Sequence, residues 1–236
     1  MRRSNVHHFA IAVLAGTLTA AAVHATDDPE GEIIDTACST TGYKVESLKY
    51  DPVVAIPDGD AGGVRLGPLN FPDDGMAIAQ VVFELYASHT RVGDLTAVLE
   101  YDLGCNGSVD ASSTILCRVG RASCTSGTGT GCTTDLNCSR SYKFDDTATA
   151  FLGLNASGAC RTANPIAKGC YKPTGQGATP LSAFKDMRKG GCFYLRITDP
   201  VTPDKGSVCE WSVFVLNHQA VGVEARSWSG TKILYR

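Results

Sequence analysis

His89 is one of the few residues of this chain whose type suits catalysis. The chain has five histidines, and His7, His8 and His24 lie in its first 25 residues. A catalytic histidine needs a nucleophile and an orienting carboxylate within hydrogen-bond distance, and Asp94 could supply the carboxylate. The sequence contains no Gly-x-Ser-x-Gly elbow, no His-Glu-x-x-His pair and no subtilisin-type set of Asp, His and Ser motifs. We therefore expect a protein that is not an enzyme.

The cysteines are the second chemically distinctive set. Zinc sites usually pair their ligands two to four residues apart in two clusters, whereas the closest pair here, Cys132 and Cys138, is more widely spaced. An even number of cysteines in an exported chain instead predicts up to five disulfides. The ten cysteines are Cys38, Cys105, Cys117, Cys124, Cys132, Cys138, Cys160, Cys170, Cys192 and Cys209.

Their spacing leaves the connectivity open. Two local pairings are favoured, Cys105 with Cys117, which would close a hairpin end, and Cys160 with Cys170, which would close a loop. A hairpin centred near Pro203 would keep Cys192 and Cys209 apart, because strand register would place a residue near position 214 opposite Cys192. We expect most of the disulfides to fasten loop insertions to a common scaffold.

The first 25 residues have the pattern of a signal peptide. Arg2 and Arg3 form a positive start, an apolar run extends from Phe9 to Ala22, and Val23 to Ala25 has the small-x-small form of a cleavage site. The apolar run is about 14 residues long, whereas a membrane span needs roughly 20. We expect cleavage before Thr26, a secreted or periplasmic mature chain, and no membrane anchor after cleavage.

The composition excludes two further classes. Hydrophobic residues make up 43% of the chain and charged residues 19%, which is too apolar for a disordered chain. The formal net charge is −3, so no overall basic field attracts a phosphate backbone. We expect a globular protein that has no nucleic-acid partner.

Apolar and polar residues alternate along four segments, which predicts strands that bury one face. The residues expected to face inward are Val81, Phe83, Leu85, Leu95, Ala97, Leu99, Tyr101, Phe193, Leu195, Ile197, Trp211, Val213 and Val215. Glycine- and proline-rich turns separate the segments, and at most a turn is expected near Ser182 to Arg188. The pattern predicts an all-β antiparallel sandwich or barrel. Gly120 to Asn137 and Ala156 to Gly177 are interpreted as inserted surface loops.

Six motifs occur in an order that resembles the P domain, or Homo B domain, of subtilisin-like proprotein convertases such as kexin and furin. They are Ile56–Gly59, Ser88–Leu95, Phe144–Ala148, Pro180–Phe184, Gly191–Asp199 and Asp204–Trp211. The resemblance extends from Gly42 to Leu216. It implies a jelly-roll β-sandwich of about eight antiparallel strands, here with disulfide-rich loop insertions.

The resemblance also divides the chain and bears on its activity. Together with the signal pattern, it predicts a signal peptide at 1–25, a lead at 26–41, a P-like sandwich at 42–217 and a tail at 218–236. In that family the domain has no catalytic residues and packs against a subtilisin-like catalytic domain, which it stabilises. His89 and Asp94 match a strand-turn-strand, where the aspartate can bind turn amides. Because the P-like region follows the signal almost directly, we expect a free-standing module.

Calcium is the cofactor that the resemblance makes possible. A calcium ion takes several oxygen ligands from neighbouring loops. Some proteins with P domains bind it, and five loop carboxylates occupy matched positions, namely Asp94, Asp145, Asp146, Asp199 and Asp204. Asp58 and Asp60, in a glycine-rich loop, could act in the same way. The alternative is that these aspartates only cap turns.

Basic residues make the middle and later loops locally positive. They are Arg118, Arg121, Arg140, Arg161, Lys168, Lys172, Lys185, Arg188 and Lys189. They could form a docking face for an acidic partner or glycan, or a solvated rim.

Three functions remain open at the level of sequence. The first is a secreted, non-catalytic module that binds or stabilises another protein, associated by family with subtilisin-like endopeptidases. The second is a trans-acting stabiliser, or a remnant, of such a protease. The third is a carbohydrate-binding or adhesive sandwich, for which Trp228 is the one tryptophan outside a predicted core strand.

Overall fold

The computed structural model describes residues 38–39, 43–124 and 131–218. The predicted signal peptide, nearly all of the predicted lead and the tail after residue 218 lie outside this part of the chain. The described residues form ten β-strands and two short 3₁₀ helices. None of their helices is long and apolar enough to cross a membrane.

The strands have the following bounds: β1 Tyr43–Tyr50, β2 Val54–Ile56, β3 Asp60–Asn70, β4 Gln80–His89, β5 Thr96–Asp102, β6 Ala111–Cys117, β7 Tyr142–Phe144, β8 Gly169–Tyr171, β9 Cys192–Asp199 and β10 Gly206–His218. The 3₁₀ helices are Val92–Asp94, between β4 and β5, and Leu181–Phe184, which begins one residue before the predicted turn near Ser182.

The strand order is that of a jelly roll. One sheet has the order β1-β10-β4-β7-β8, with β2 also paired to β10, and the other has the order β3-β9-β5-β6. Without the short strands β2 and β8, eight strands remain in two sheets of four, all paired antiparallel. The β7–β8 pair is parallel. The predicted jelly-roll β-sandwich of about eight antiparallel strands is therefore confirmed.

The core lies between the two sheets. Every side chain that alternation predicted to face inward is buried. Phe193 is at the centre of an aromatic group, with ring centroids 4.6 Å from Tyr101, 5.4 Å from Phe184 and 5.6 Å from Phe71. Offset and edge-to-face ring pairs of this kind add stability beyond the area they bury.

Residues 172–179 close one edge of the sandwich. The chain leaves β8 in the first sheet and then runs along β6, the edge strand of the second sheet. The amide of Cys117 donates to Thr174 O at 2.9 Å, that of Thr174 donates to Ile115 O at 2.8 Å, and that of Thr179 donates to Thr114 O at 3.1 Å. Part of the segment predicted as a surface loop thus covers a sheet edge.

The segment predicted as a surface loop at Gly120 to Asn137 is also partly internal. Cys132, Thr134 and Leu136 are buried, and Leu136 exchanges backbone hydrogen bonds with His89 at the end of β4. The amide of Val92 donates to Thr134 O at 2.9 Å. The prediction of a purely surface loop is wrong here, because the segment supplies hydrogen-bond partners to the backbone where β4 ends.

All ten cysteines form disulfides, as the sequence predicted. The pairs are Cys38–Cys170, Cys105–Cys192, Cys117–Cys124, Cys132–Cys160 and Cys138–Cys209. The predicted Cys105–Cys117 pair is wrong because Cys105 follows the end of β5 whereas Cys117 is opposite Thr96 at its start. These positions are roughly 20 Å apart along the strand.

The other local pairing fails for a similar reason. Cys160 is bonded to buried Cys132, whereas Cys170 lies in β8 and is bonded to Cys38. The prediction that Cys192 and Cys209 are not bonded to each other is confirmed. Its reasoning was wrong, because β9 and β10 belong to different sheets and do not form a hairpin.

Candidate functional site

His89 lies at one end of the sandwich, where loops from both sheets meet. It is the last residue of β4, and it pairs with Gly206 at the start of β10. A Cβ atom on Gly206 would be 2.5 Å from Cδ2 of His89, so a residue without a side chain is needed beside the imidazole. The end of β9 brings Asp199 to Nε2 of the ring.

Both nitrogens of the His89 imidazole have partners. Nε2 is 3.0 Å from Oδ2 of Asp199, and the amide of Arg91 donates to Nδ1 at 3.1 Å. In a protonated ring, Nδ1–H can donate to Arg91 O at 2.9 Å instead. The His89 and Asp199 side chains are 0% and 1% exposed. The imidazole is thus held by partners at both ring nitrogens and has no direct contact with solvent.

Asp94 is the second buried carboxylate at this end. Its Oδ1 accepts a hydrogen bond from Arg121, and its Oδ2 has no hydrogen-bond partner and lies 3.9 Å from Nη1 of Arg91. Burial raises the pKa of Asp94 above its usual range, although Arg121 and Arg91 act in the opposite direction. Asp94 therefore pairs with a distant arginine and not with the turn amides that the resemblance implied.

Arg118 is a buried cation close to these carboxylates. It is 4% exposed, and its Nε has no hydrogen-bond partner. Burial lowers the pKa of its guanidinium and Arg121 lowers it further, whereas Asp94 and Asp199 raise it. This end of the sandwich therefore contains a buried network of opposite charges.

The hydrogen-bond partners of the His89 ring within the described residues are a carboxylate and backbone atoms. Its ring nitrogens contact Arg91 and Asp199, and within the described ranges neither is hydrogen-bonded to a hydroxyl or a thiol. The cysteines are all in disulfides, so the chain has no thiol nucleophile. The arrangement orients the loops at this end of the sandwich.

Asp145 and Asp146 lie at the opposite end of β4. Asp145 accepts hydrogen bonds from the amide of Thr147 at 2.8 Å and from Nε2 of Gln80 at 2.8 Å. Burial raises its pKa above the usual range. The Asp146 carboxylate accepts from the amides of Leu181 at 2.8 Å and Ser182 at 2.7 Å, so it caps the second 3₁₀ helix.

The five aspartates predicted for calcium are thus divided between the two ends of the sandwich. Gln80 and His89 are the first and last residues of β4, which spans about 30 Å. Asp204, which accepts from Thr90 Oγ1 at 2.8 Å, belongs to the His89 end. Over the described residues, no three His, Cys, Asp or Glu side chains form a group that could hold a metal. The five therefore do not fit a single calcium site, and calcium binding stays a prediction.

An open cleft of about 500 Å³ lies beside the closing segment. Its lining residues are Gly120, Arg121, Ala122, Phe151, Leu154, Gly158, Gly175 and Gln176. Phe151 is 41% exposed, although it is a large apolar residue. Sequence reasoning missed the cleft, because its walls come from three loops that are distant in sequence.

Comparisons with families and with curated proteins find no match. The solved structures that are similar to this chain include two from Aeromonas sobria. One is the Aeromonas sobria serine protease in complex with the chaperone ORF2, at 16% identity and a TM-score of 0.37, covering 75% of this chain and 28% of that one. The other is the serine protease of Aeromonas sobria, at 15% identity and a TM-score of 0.36, covering 74% and 27%. The chain therefore spans less than a third of either chain's length.

A buried ion-pair group around Lys189, which the sequence did not predict, links the segment before β9 to β1 and to the β3–β4 connection. Lys189 is 1% exposed and donates from Nζ to Glu46 on β1 and, at 2.6 Å, to Asp74 in the β3–β4 connection. Burial lowers the pKa of Lys189, but its two carboxylate partners outweigh burial, so the pKa lies above the usual range. Sequence reasoning had assigned Lys189 to a basic, solvent-facing set.

Proposed function

We propose that this chain is a secreted, non-catalytic jelly-roll module that binds or stabilises another protein and belongs to a subtilisin-like protease system. The surroundings of His89 are the observation that supports the proposed lack of catalytic activity. Its two ring nitrogens are occupied by Asp199 and Arg91, and it is sealed from solvent. A general base must reach a substrate or a nucleophile, and His89 reaches neither.

The association with proteases is supported by the six motifs and by the fold they implied. The strand orders β1-β10-β4-β7 and β3-β9-β5-β6 are those expected of a jelly roll. In the proprotein convertases, a domain of this kind has no catalytic residues and acts by packing against a catalytic domain. A fold alone does not assign a partner, so the protease partner is part of the proposal.

Secretion is supported by the cysteines as well as by the signal pattern. Five disulfides in one chain are typical of proteins that fold in an oxidising compartment, either outside the cell or in the periplasm.

The proposal is tested by capture from the native secretome. The mature protein, immobilised through a C-terminal tag, should retain a protein partner that mass spectrometry identifies as a subtilisin-like protease. Unrelated disulfide-rich sandwich proteins serve as the control bait. The purified protein should not cleave casein, and cleavage that a serine-protease inhibitor abolishes would overturn the non-catalytic assignment.

Calcium binding is a separate element of the proposal, with two possible locations. Asp94 at the His89 end has one carboxylate oxygen without a hydrogen-bond partner, and Asp145 with Asp146 lies at the other end. Calorimetric titration with calcium should give a heat of binding, and a chelator should lower the melting temperature. An absence of both effects would remove calcium from the proposal.

A further inference from the structure

Two arginines lie side by side on the outer face of the four-stranded sheet. Arg65 on β3 and Arg196 on β9 are directly opposite each other in the strand register. The next pair in that register, Leu66 and Leu195, is buried in the core, so alternation directs both arginines away from the core. Like charges directly opposite each other destabilise a pair of strands. The two arginines therefore need counter-charges.

One carboxylate serves both arginines. Nε of Arg65 donates to Oε2 of Glu100 at 2.8 Å, and Nε of Arg196 donates to Oε1 of the same carboxylate at 2.7 Å. Glu100 lies on β5, the other neighbour of β9 in the sheet. Within the described ranges, Glu100 is the ion-pair partner of both cations and no second carboxylate joins them. One unit of positive charge is thus left over.

Solvent reaches the cations more than the anion. The side chains of Arg65 and Arg196 are 34% and 44% exposed, whereas that of Glu100 is 7% exposed. Each arginine uses its Nε atom on Glu100, and the part of the chain that the structure describes provides no hydrogen-bond acceptor for its two Nη atoms. Each Nη atom carries two N–H donors. The surface thus presents two guanidinium groups with unused donors.

The guanidinium group of Arg65 is held in position before any ligand binds. Its central carbon lies 3.5 Å from the centroid of the Tyr194 ring, a cation–π contact. Gly67, beside this ring, has φ +120°, and a Cβ atom there would lie 3.2 Å from Cδ1 of Tyr194. The glycine thus leaves the ring free for the guanidinium. A group that is already ordered loses less entropy when it binds.

We infer that Arg65 and Arg196 bind a surface carboxylate of the partner protein, from an Asp or Glu side chain, through their Nη donors. Arginine presents a planar set of donors that matches a carboxylate. Because both arginines already contact one carboxylate, Glu100, their guanidinium groups are close enough for a second carboxylate to contact both. The inference rests on the proposed function, because it assigns the surface through which the module contacts its partner.

The overall charge of the protein makes this face distinctive. The whole chain has a formal net charge of −3, so its summed field does not attract an acidic partner. A local pair of exposed cations can still select the orientation in which such a partner approaches. Acidic probes should therefore bind at the arginine pair rather than over the protein surface in general.

The probe for this inference is a tetraglutamate peptide with blocked ends, titrated into the nitrogen-15-labelled mature protein and followed by NMR. The peptide should shift the Nε–Hε signals of Arg65 and Arg196 and the amide signals of β3, β9 and β5 around them. A tetralysine peptide should shift none of these signals. Raising the salt from about 20 to about 300 mM should weaken peptide binding at least threefold, because exposed charges are screened.

Three variants test the location. Arg65→Gln and Arg196→Gln should each raise the Kd of the tetraglutamate peptide at least fivefold, and the double variant should show no binding. The matched control is Lys49→Gln, which also removes a cation that donates to a glutamate, Glu210 at 3.0 Å, but on β1 of the other sheet. It should leave the Kd unchanged. Circular dichroism checks that each variant is folded.

Three results would overturn the inference: no shift at either arginine, an unchanged Kd for the folded double variant, or equal binding of tetralysine. A sulfated hexasaccharide that shifts the same signals at a lower concentration than the peptide would also overturn it, by favouring a glycan over a protein. The proposed function is judged separately by the secretome capture. A captured protease that binds the double variant as tightly as wild type would leave that function standing and exclude this surface. Peptide binding at the arginine pair without any captured protease would do the reverse.

Discussion

The imidazole of His89 and the carboxylate of Asp199 form a hydrogen bond of 3.0 Å that joins the two sheets of the sandwich. His89 ends β4 in the larger sheet and Asp199 ends β9 in the smaller one. Both side chains are buried, so water does not compete for the hydrogen bond and the low local dielectric strengthens it. This hydrogen bond therefore fixes the position of one sheet relative to the other at this end of the molecule.

Replacing Asp199 should therefore destabilise the fold. Asp199→Ala removes the acceptor of His89 and of the Val201 amide and should lower the free energy of unfolding by about 2 to 4 kcal/mol. Asp204→Ala is the control, because its carboxylate is partly exposed and should contribute less than about 1 kcal/mol. Urea unfolding followed by tryptophan fluorescence measures both. An equal effect of the two variants would contradict the role of the buried pair.

Lys189 should stabilise the fold over a broad pH range. Lys189→Met leaves the Glu46 and Asp74 carboxylates without their cation and should cost about 2 to 3 kcal/mol at neutral pH. The raised pKa of Lys189 means that its contribution is complete below pH 10.5 and is lost as the pH rises through the folded-state value. The difference from wild type should thus be constant between pH 6 and 9 and shrink above pH 10.5. A difference that grows in alkali would be inconsistent with this assignment.

Asp145 should make the stability depend on pH in the opposite sense to a paired surface carboxylate. Its pKa is raised by burial, so its contribution is most favourable below pH 3.8 and declines as the pH rises through the folded-state value. Asp145→Asn cannot ionise, and its stability relative to wild type should improve between pH 4 and 7. Gln80→Leu removes a hydrogen bond that favours the ionised carboxylate, so it should raise the pKa of Asp145 further. The loss of stability with rising pH should then be larger than in wild type. Chemical unfolding across this range provides the test, and a relative stability that falls with pH would refute it.

The disulfides should differ in the stability they confer. Cys105 and Cys192 are 87 residues apart, whereas Cys117 and Cys124 are 7 apart. The chain-entropy relation gives about 4.5 kcal/mol for the long loop and about 2.5 kcal/mol for the short one, and the remaining disulfides reduce the difference by shortening the effective loop. The double serine variant of the first pair should therefore melt at the lower temperature in differential scanning calorimetry. The reverse order would show that strain or local packing, and not loop closure, dominates.

Local patterns predicted most of the sandwich. The alternation of Phe193, Leu195 and Ile197 depends on side chains that point to opposite faces of one strand, and this is visible within a short window of sequence. The pairing of strands is different. The expected hairpin at Pro203 failed because β9 and β10 pass to different sheets, which depends on partners far along the chain.

The candidate site was harder to predict for the same reason. Asp94 was recognised as a chemically interesting residue, but its partner Arg121 lies 27 residues away. Lys189 belongs to the set predicted to form a basic docking face or a solvated rim, but its two carboxylate partners are more than a hundred residues distant in sequence. Such pairs depend on the folded topology, and the residues around each member give no local signal of them.

The closing segment at 172–179 also determines how this protein can meet other chains. It occupies the backbone groups of β6, so the four-stranded sheet has its remaining edge at β3. That strand is interrupted by two register shifts and contains Pro68, features that make an edge unsuitable for pairing. The pairing of a strand from another chain with β3 or β6, the two edges of this sheet, is thus disfavoured. Recognition on this side of the molecule must come from side chains and loops, and a high local concentration of copies of this chain should not seed intermolecular β-structure through it.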